Sequence, residues 1–280
     1  EVLPLVEGGK GINGSDGRSS GAWAHENCVG TFSGVSPDFY DDKGNVVIEK
    51  FLKRSRPERH EEMVERAIKG GIAQAQVAHE VSGGNGRIHM NMLWELADSQ
   101  RILEGVLEKA VGEGLINGIT CGAGMPYHLG ALASKFGVYY YPIVSSARAF
   151  NILWKRAYSN FTEFLGGVVY EDPWLAGGHN GLSNAEDPAK PETHIVQVVD
   201  IRKITGQSGK LLEILHLVGV LLNLLFGFLL FLFRLSPATG LGQPSVETIF
   251  ASCTQQGIHI GKHSEKTSRM KCKSLPVFTP

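Results

Sequence analysis

The chain has almost no net charge, few cysteines and no glycine loop ending in G-K-[ST], and each absence narrows what it can be. Its 27 basic and 28 acidic side chains leave a formal charge of -1. No global field therefore draws it to nucleic acid or to an acidic partner. Four cysteines occur, Cys28, Cys121, Cys253 and Cys272, widely spaced and without a C-x-x-C pair, which argues against both a zinc site and a disulfide framework. A reducing, cytoplasmic setting is the default expectation. The first 17 residues hold neither a basic n-region nor an apolar h-region, so no signal peptide is expected. No loop ends in G-K-[ST], and VEGGKG at residues 6–11 and SGGNG at 82–86 both lack that ending. The 35 glycines follow no three-residue period, which excludes a collagen-like chain.

What is present is an alternation. The 280 residues, 42% apolar, can bury a full core. Short β-like runs at residues 2–6, 30–33, 87–93, 115–120, 138–144 and 166–170 are each followed, within a few residues, by Gly, Ser or Asp. Helical stretches at 57–78, 98–111, 127–136 and 147–158 lie between them. Strands alternating with helices predict a parallel sheet wrapped by helices. Six strand signals before residue 200 suit a TIM-type (β/α) barrel, which needs about eight strands in about 250 residues.

The character changes after Val199. Residues 214–233, ILHLVGVLLNLLFGFLLFLF, carry no formally charged side chain and have the length of a bilayer span, although His216 and Asn223 interrupt the run. A transmembrane helix and a buried, diverged end of the barrel are both open readings; membrane contact is not the favoured one. The final stretch, 236–280, ends in a basic run with Lys262, Lys266, Arg269, Lys271 and Lys273 and reads as loop-like or disordered. Three parts are thus expected: a barrel portion over 1–199, an apolar segment over 200–235 and a basic tail over 236–280.

Chemistry concentrates in glycine-rich turns at strand ends. LAGGHNGLSN (175–184) follows the apolar strand GGVVYEDPW, so Gly177 and Gly178 let the backbone approach a flat or anionic ligand and His179 stands at the mouth of a barrel. An imidazole there can accept a proton near neutral pH, as a general base; the alternative is a loop histidine that bonds locally. VEGGKG could cradle a phosphate or a ring edge with backbone N–H groups, Lys10 adding charge, or be an ordinary turn. GITCGAGMPY (118–127) and YYYPIVSSARAF (139–150) each run from strand through a small-residue turn into a helix. Cys121 reads as a small buried residue, and Tyr139, Tyr140 and Tyr141 as packing groups.

Taken together, PLVEGGKGI, GRSSGAW, VGTFSGV, RPERHEE, GGIAQAQVAHE, GRIHMNMLWE, GITCGAGMPYHL, GVYYYPIVSSARAF, LWKRAY and LGGVVYEDPWLAGGHNGLSNAEDPAKPE resemble the nitronate monooxygenase (2-nitropropane dioxygenase) family, in order, from Leu3 to Glu192. The resemblance implies a TIM-type barrel with non-covalent FMN that oxidises alkyl nitronates with dioxygen to a carbonyl compound and nitrite, without a metal. The family's AGGH motif falls on Ala176, Gly177, Gly178 and His179, which implies His179 as the base taking the α-proton of a nitroalkane. It further implies flavin contacts at Gly8, Gly9, Asn91, Gly124, Gly177 and Gly178. The partners would be a small nitronate or nitroalkane and dioxygen, with no nucleic acid. The chain departs from the family after Val199, where neither the Ala-Gly-Gly turn nor the Gly-Thr-Arg turn of the last two strands is found; the barrel is expected to be incomplete or irregular there. A flavin- and NAD(P)H-dependent enoyl-acyl-carrier-protein reductase is the rival reading, and an inactive remnant of the family a further one.

Overall fold

Along RIHMNML the apolar Ile88, Met90 and Met92 alternate with Arg87, His89 and Asn91, the period of two that a strand packed against helices on one face requires. The computed structural model describes residues 2–41, 43–48, 55–174, 187, 189–190, 194–206 and 213–217, with 194–195, 206 and 213–217 as backbone alone. There this segment is β2 (Arg87–Leu93), one of six strands with β1 (Val29–Ser33), β3 (Gly118–Gly122), β4 (Tyr139–Val144), β5 (Gly167–Glu171) and β6 (Glu213–Leu217). Helices α1 (Gly17–His25), α2 (Arg56–Ser82), α3 (Ser99–Ala110), α4 (Leu129–Phe136), α5 (Ala147–Arg156) and α6 (His194–Gly206) alternate with them.

Every described strand pair is parallel, and the spatial order is β1-β2-β3-β4-β5-β6. A doubly wound sheet reverses its strand order at a switch point; this one adds each strand to the same side, the succession of a (β/α) barrel. The fold is α/β, with a barrel-type succession of six described strands. Val6 bridges Val29 in parallel, so the N-terminal segment lies along the other edge of β1. All described residues belong to one unit, Glu1–Phe228.

Local signals set the longest helix. The Ser55 hydroxyl accepts from the Glu58 N–H while the Glu58 carboxylate accepts from the Ser55 N–H, Pro57 occupies the first turn, and Gly83 ends α2 in the left-handed region at φ +62°. The core then forms between helices and sheet. Phe32, Ile88, Met90, Met92, Ile119, Cys121, Tyr140, Val144, Val168 and Tyr170 point from the strands into the helix layer, where Leu103, Leu107, Leu132 and Phe150 meet them. Cys121 is a small buried residue, as expected; desolvation pushes its thiol well above the ordinary range. Tyr140 is core, whereas Tyr139 is exposed and Tyr141 faces the opposite side of the sheet.

Several boundaries differ from expectation. Residues 2–6 make one bridge and no strand, because Pro4 has no N–H and the Leu5 N–H turns back to the Leu3 carbonyl (2.8 Å). Residues 115–117 precede β3; the Asn117 side chain takes the Ile88 N–H (2.9 Å) in place of a ladder bond. The 147–158 helix stops at Arg156, and Tyr158–Asn160 follow as a 3-10 turn. Neither α1 nor α6 was anticipated. Glu213–Leu217 pair with Gly167–Glu171 as β6, so the apolar run begins as a strand, which favours the barrel-end reading of 214–217 over a membrane helix starting there. Among the described residues no helix is long and apolar enough to cross a membrane. Residues 218–233 and the 236–280 tail lie outside the described residues.

Candidate functional site

Register decides what lies on the face opposite the helices. Ser33 pairs with Asn91, Asn91 with Thr120 and Thr120 with Tyr141, so these residues form one layer of the inner face. The layer beneath, toward the strand N-termini, holds Thr31, His89 and Gly118. Thr31, Ser33, His89, Asn91 and Thr120 are all buried. A barrel that merely packs fills its interior with branched aliphatic side chains. Small and polar residues there suit a pocket with a few convergent hydrogen-bonding groups.

The N-terminal glycine turn and β2 meet closely. A Cβ on Gly9 would lie 2.4 Å from the Asn91 Cβ, so only glycine lets this turn pass over Asn91. On its other side Asn91 accepts a hydrogen bond through Oδ1 from the Thr120 hydroxyl (3.1 Å), and its carbonyl accepts from the Gly34 N–H (2.7 Å). The amide is therefore fixed by β1, β3 and the glycine turn together. Gly8 is buried beside it.

Gly124 stands two residues beyond β3, at φ +107°, after Ala123 at φ +57°. Its missing Cβ leaves room for the Glu95 side chain, whose Cγ would lie 2.6 Å from it, and the Glu95 N–H donates to the Ala123 carbonyl (3.0 Å). Gly8 and Gly9 follow the Val6 bridge, Asn91 lies level with the last residue of β1, and Gly124 lies just past β3, all toward the C-terminal end of the sheet, where barrel enzymes place their chemistry. Gly9 and Asn91 are in direct contact; Gly124 is held by a separate contact with the β2–α3 loop. Gly177, Gly178 and His179 lie outside the described residues. Among the described residues no group of three or more His, Cys, Asp or Glu could hold a metal ion.

The structure adds acidic residues that the motifs did not single out. Glu171 and Asp172 are buried at the C-terminal end of β5, where the Asp172 carboxylate accepts the Trp174 N–H (2.9 Å). The sequence signal was the acidic pair closing an apolar strand. Glu7 is buried too, close to Ser19 and Ser20 of the first turn of α1, and its carboxylate accepts the Thr31 N–H (2.9 Å).

Burial outweighs the polar neighbours and raises the Glu7 carboxyl to about 7. The unfolded chain loses this proton near 4.5. Between those values the folded state binds more protons, so stability is fully present below 4.5 and is lost as pH rises through 7. A gap of that size corresponds to about 3 kcal/mol. His89 opposes it: burial, with Arg87 nearby, lowers the imidazole to about 3 and favours the fold progressively as pH rises from there to 6.5. Glu7→Gln isolates the first effect, since an amide keeps an acceptor for Thr31. Urea unfolding should show the variant more stable than the parent by about 3 kcal/mol at alkaline pH, with the difference vanishing well below the ordinary carboxylate range. A difference independent of pH would contradict the burial assigned to this carboxyl.

No family model and no curated protein matches the chain. Among solved structures it is similar to FabK from Thermotoga maritima, at 13% identity and a TM-score of 0.45 over 76% of this chain and 50% of that one. It is also similar to nitroalkane oxidase from Streptomyces ansochromogenes, at 8% identity and a TM-score of 0.49 over 76% of this chain and 58% of that one. The chain therefore spans between half and three-fifths of the length of these structures.

Proposed function

We propose that the chain is a flavin-dependent oxidoreductase of the nitronate monooxygenase type, holding FMN at the C-terminal ends of its strands. The observation that carries the reading is the contact of Gly9 with Asn91, itself bonded to Thr120, in a buried polar layer of the inner face. The sequence resemblance assigns the same glycines and the same asparagine to the flavin. The group fits: backbone at Gly8, Gly9 and Gly124 allows close approach, and the Asn91 amide supplies an oriented polar edge.

In this reading Gly8, Gly9, Asn91 and Gly124 would hold the flavin together with Gly177 and Gly178. The bound flavin supplies the electron acceptor for an alkyl nitronate, dioxygen being the terminal oxidant. His179 takes the α-proton when the substrate arrives as the neutral nitroalkane. Asn91 and Thr120 keep a polar wall in place, and the buried layer around them limits water.

The test is direct. Protein purified and titrated with FMN should gain a bound, yellow chromophore absorbing near about 450 nm and then consume oxygen with a nitronate. Rapid bleaching by NADH without oxygen uptake on nitronate would replace this reading with the enoyl-acyl-carrier-protein reductase. Folded protein that stays colourless would overturn both.

A further inference from the structure

The edge of β1 away from β2 presents main-chain donors at Val29, Thr31 and Ser33, and each finds a different kind of acceptor. The Val29 N–H donates to the Leu5 carbonyl (2.9 Å), and the Glu7 N–H donates to the Val29 carbonyl (2.8 Å), one repeat of an ordinary parallel ladder. Two residues on, the same ladder would bring the Glu7 carbonyl to the Thr31 N–H. The Glu7 side chain stands there instead, with Oε2 accepting that N–H at 2.9 Å. The Ser33 N–H is then met by the Ser15 carbonyl (2.8 Å), where the chain returns to the edge. Residues 8–14 thus leave the sheet between a side-chain stand-in for the ladder and the return at Ser15.

Thr31 is wholly buried and Glu7 is 4% exposed, so water does not serve this N–H in place of the carboxyl. A buried N–H without an acceptor is destabilising, which makes the stand-in a condition for the excursion. The excursion opens with Gly8 and Gly9, and Gly9 is the point where main chain passes Asn91 too closely for any Cβ. Its far part is pinned independently. The Lys10 N–H donates to the Ser15 hydroxyl (3.0 Å), the Asn13 N–H to the Val35 carbonyl (3.1 Å) and the Asn13 side-chain amide to the Asp38 carboxylate (2.8 Å). The near part, at the glycines, hangs on Glu7.

We propose that Glu7 is a positioning residue for the flavin: its carboxyl group, by taking the Thr31 N–H in place of the main chain, keeps Gly8 and Gly9 out of the sheet and seated across Asn91. This role rests on the flavin reading of the glycine turn, and Glu7 acts in it through the turn rather than on the ligand. Without the carboxyl, the main-chain acceptor in register with the Thr31 N–H is the Glu7 carbonyl, and using it extends the ladder by one pair. Gly8 then lies beside Thr31, and Gly9 is drawn away from Asn91. What the position needs is an acceptor on a two-methylene arm and not a charge. Glutamine therefore serves where alanine does not.

Nuclear magnetic resonance of the flavin-free protein reads the turn directly. Glu7→Ala should displace the Gly9 amide and Asn91 side-chain amide signals, and Glu7→Gln should restore them. Titration with FMN, followed by quenching of its fluorescence, should show Glu7→Ala binding about tenfold or more weaker than the parent and Glu7→Gln within about threefold of it. Ile116→Val separates this from general destabilisation, since it removes one methyl group from the buried core ahead of β3; its FMN affinity should match the parent's. If Glu7→Ala does not fold, Glu7→Asp, with an arm one methylene shorter, carries the same expectation. Equal FMN affinity of the alanine and glutamine variants would overturn the proposal. So would unmoved Gly9 and Asn91 signals in Glu7→Ala, or an equal loss of affinity in Ile116→Val. A parent that takes up no FMN removes the flavin reading alone, and the two amide signals still decide whether Glu7 places the turn.

Discussion

Gly30→Ala is expected to destabilise the fold by about 3 kcal/mol or more, a large fraction of the stability of an ordinary domain. A Cβ at Gly30 would lie 1.8 Å from the Ser20 carbonyl oxygen and 2.5 Å from its carbon, both backbone atoms of α1. Relief requires α1 to move away from β1, and α1 has nowhere to go. A Cβ on Gly17 would meet the Gln74 carbonyl of α2 at 2.4 Å, and one on Gly21 would meet that of Ala78 at 2.7 Å. The Gly17 N–H is also taken by the buried Gln74 side-chain oxygen (2.6 Å), whose amide nitrogen donates to the Asp38 carbonyl (2.5 Å). Helix, strand and second helix are thus seated backbone to backbone. Gly114→Ala is the control: it has φ +70° but open space around it, and should cost only about 1 kcal/mol. Urea melts compare the two, and equal losses would show that the close seat of α1 does not set the cost.

His179→Asn is expected to lower turnover of a neutral nitroalkane by about a hundredfold or more while flavin stays bound. Asparagine has no basic nitrogen, so it cannot take the α-proton. The pre-formed nitronate has already lost that proton and should suffer far less. The ratio of the two rates is therefore the informative quantity. Parent-like turnover of the neutral substrate would remove the role assigned to this side chain, and an equal loss on both substrates would make it a binding residue.

Much of the sheet was legible because its two faces differ. In β2 the outward Ile88, Met90 and Met92 alternate with inward His89 and Asn91, and in β5 the run GVVYE closes on buried acids. The helix α1 was not legible. GRSSGAWAH has no apolar period, because its packing is made by glycine backbones and by the buried Ser20; its one local signal is the reciprocal cap between Asp16 and Ser19. β6 was hidden differently: ILHL opens a long apolar run whose length argues for a membrane helix, and only its pairing with β5 selects a strand. At the site, Gly9 and Asn91 stood in recognisable motifs, and their contact is visible in the structure. Glu7 and His89 carry no such mark. What distinguishes them is desolvation, which depends on neighbours far along the chain and cannot be read from adjacent letters.

The strand order has a consequence for how the molecule is made. Each strand's partner is the next one to emerge during synthesis, and the helix that joins β1 to β2 carries its own start and stop signals. Closure costs stay small among the described strands, because each pairs with its neighbours in the chain. Assembly can therefore proceed vectorially, one β/α unit docking on the last, with a single growing edge exposed to wrong neighbours at any moment.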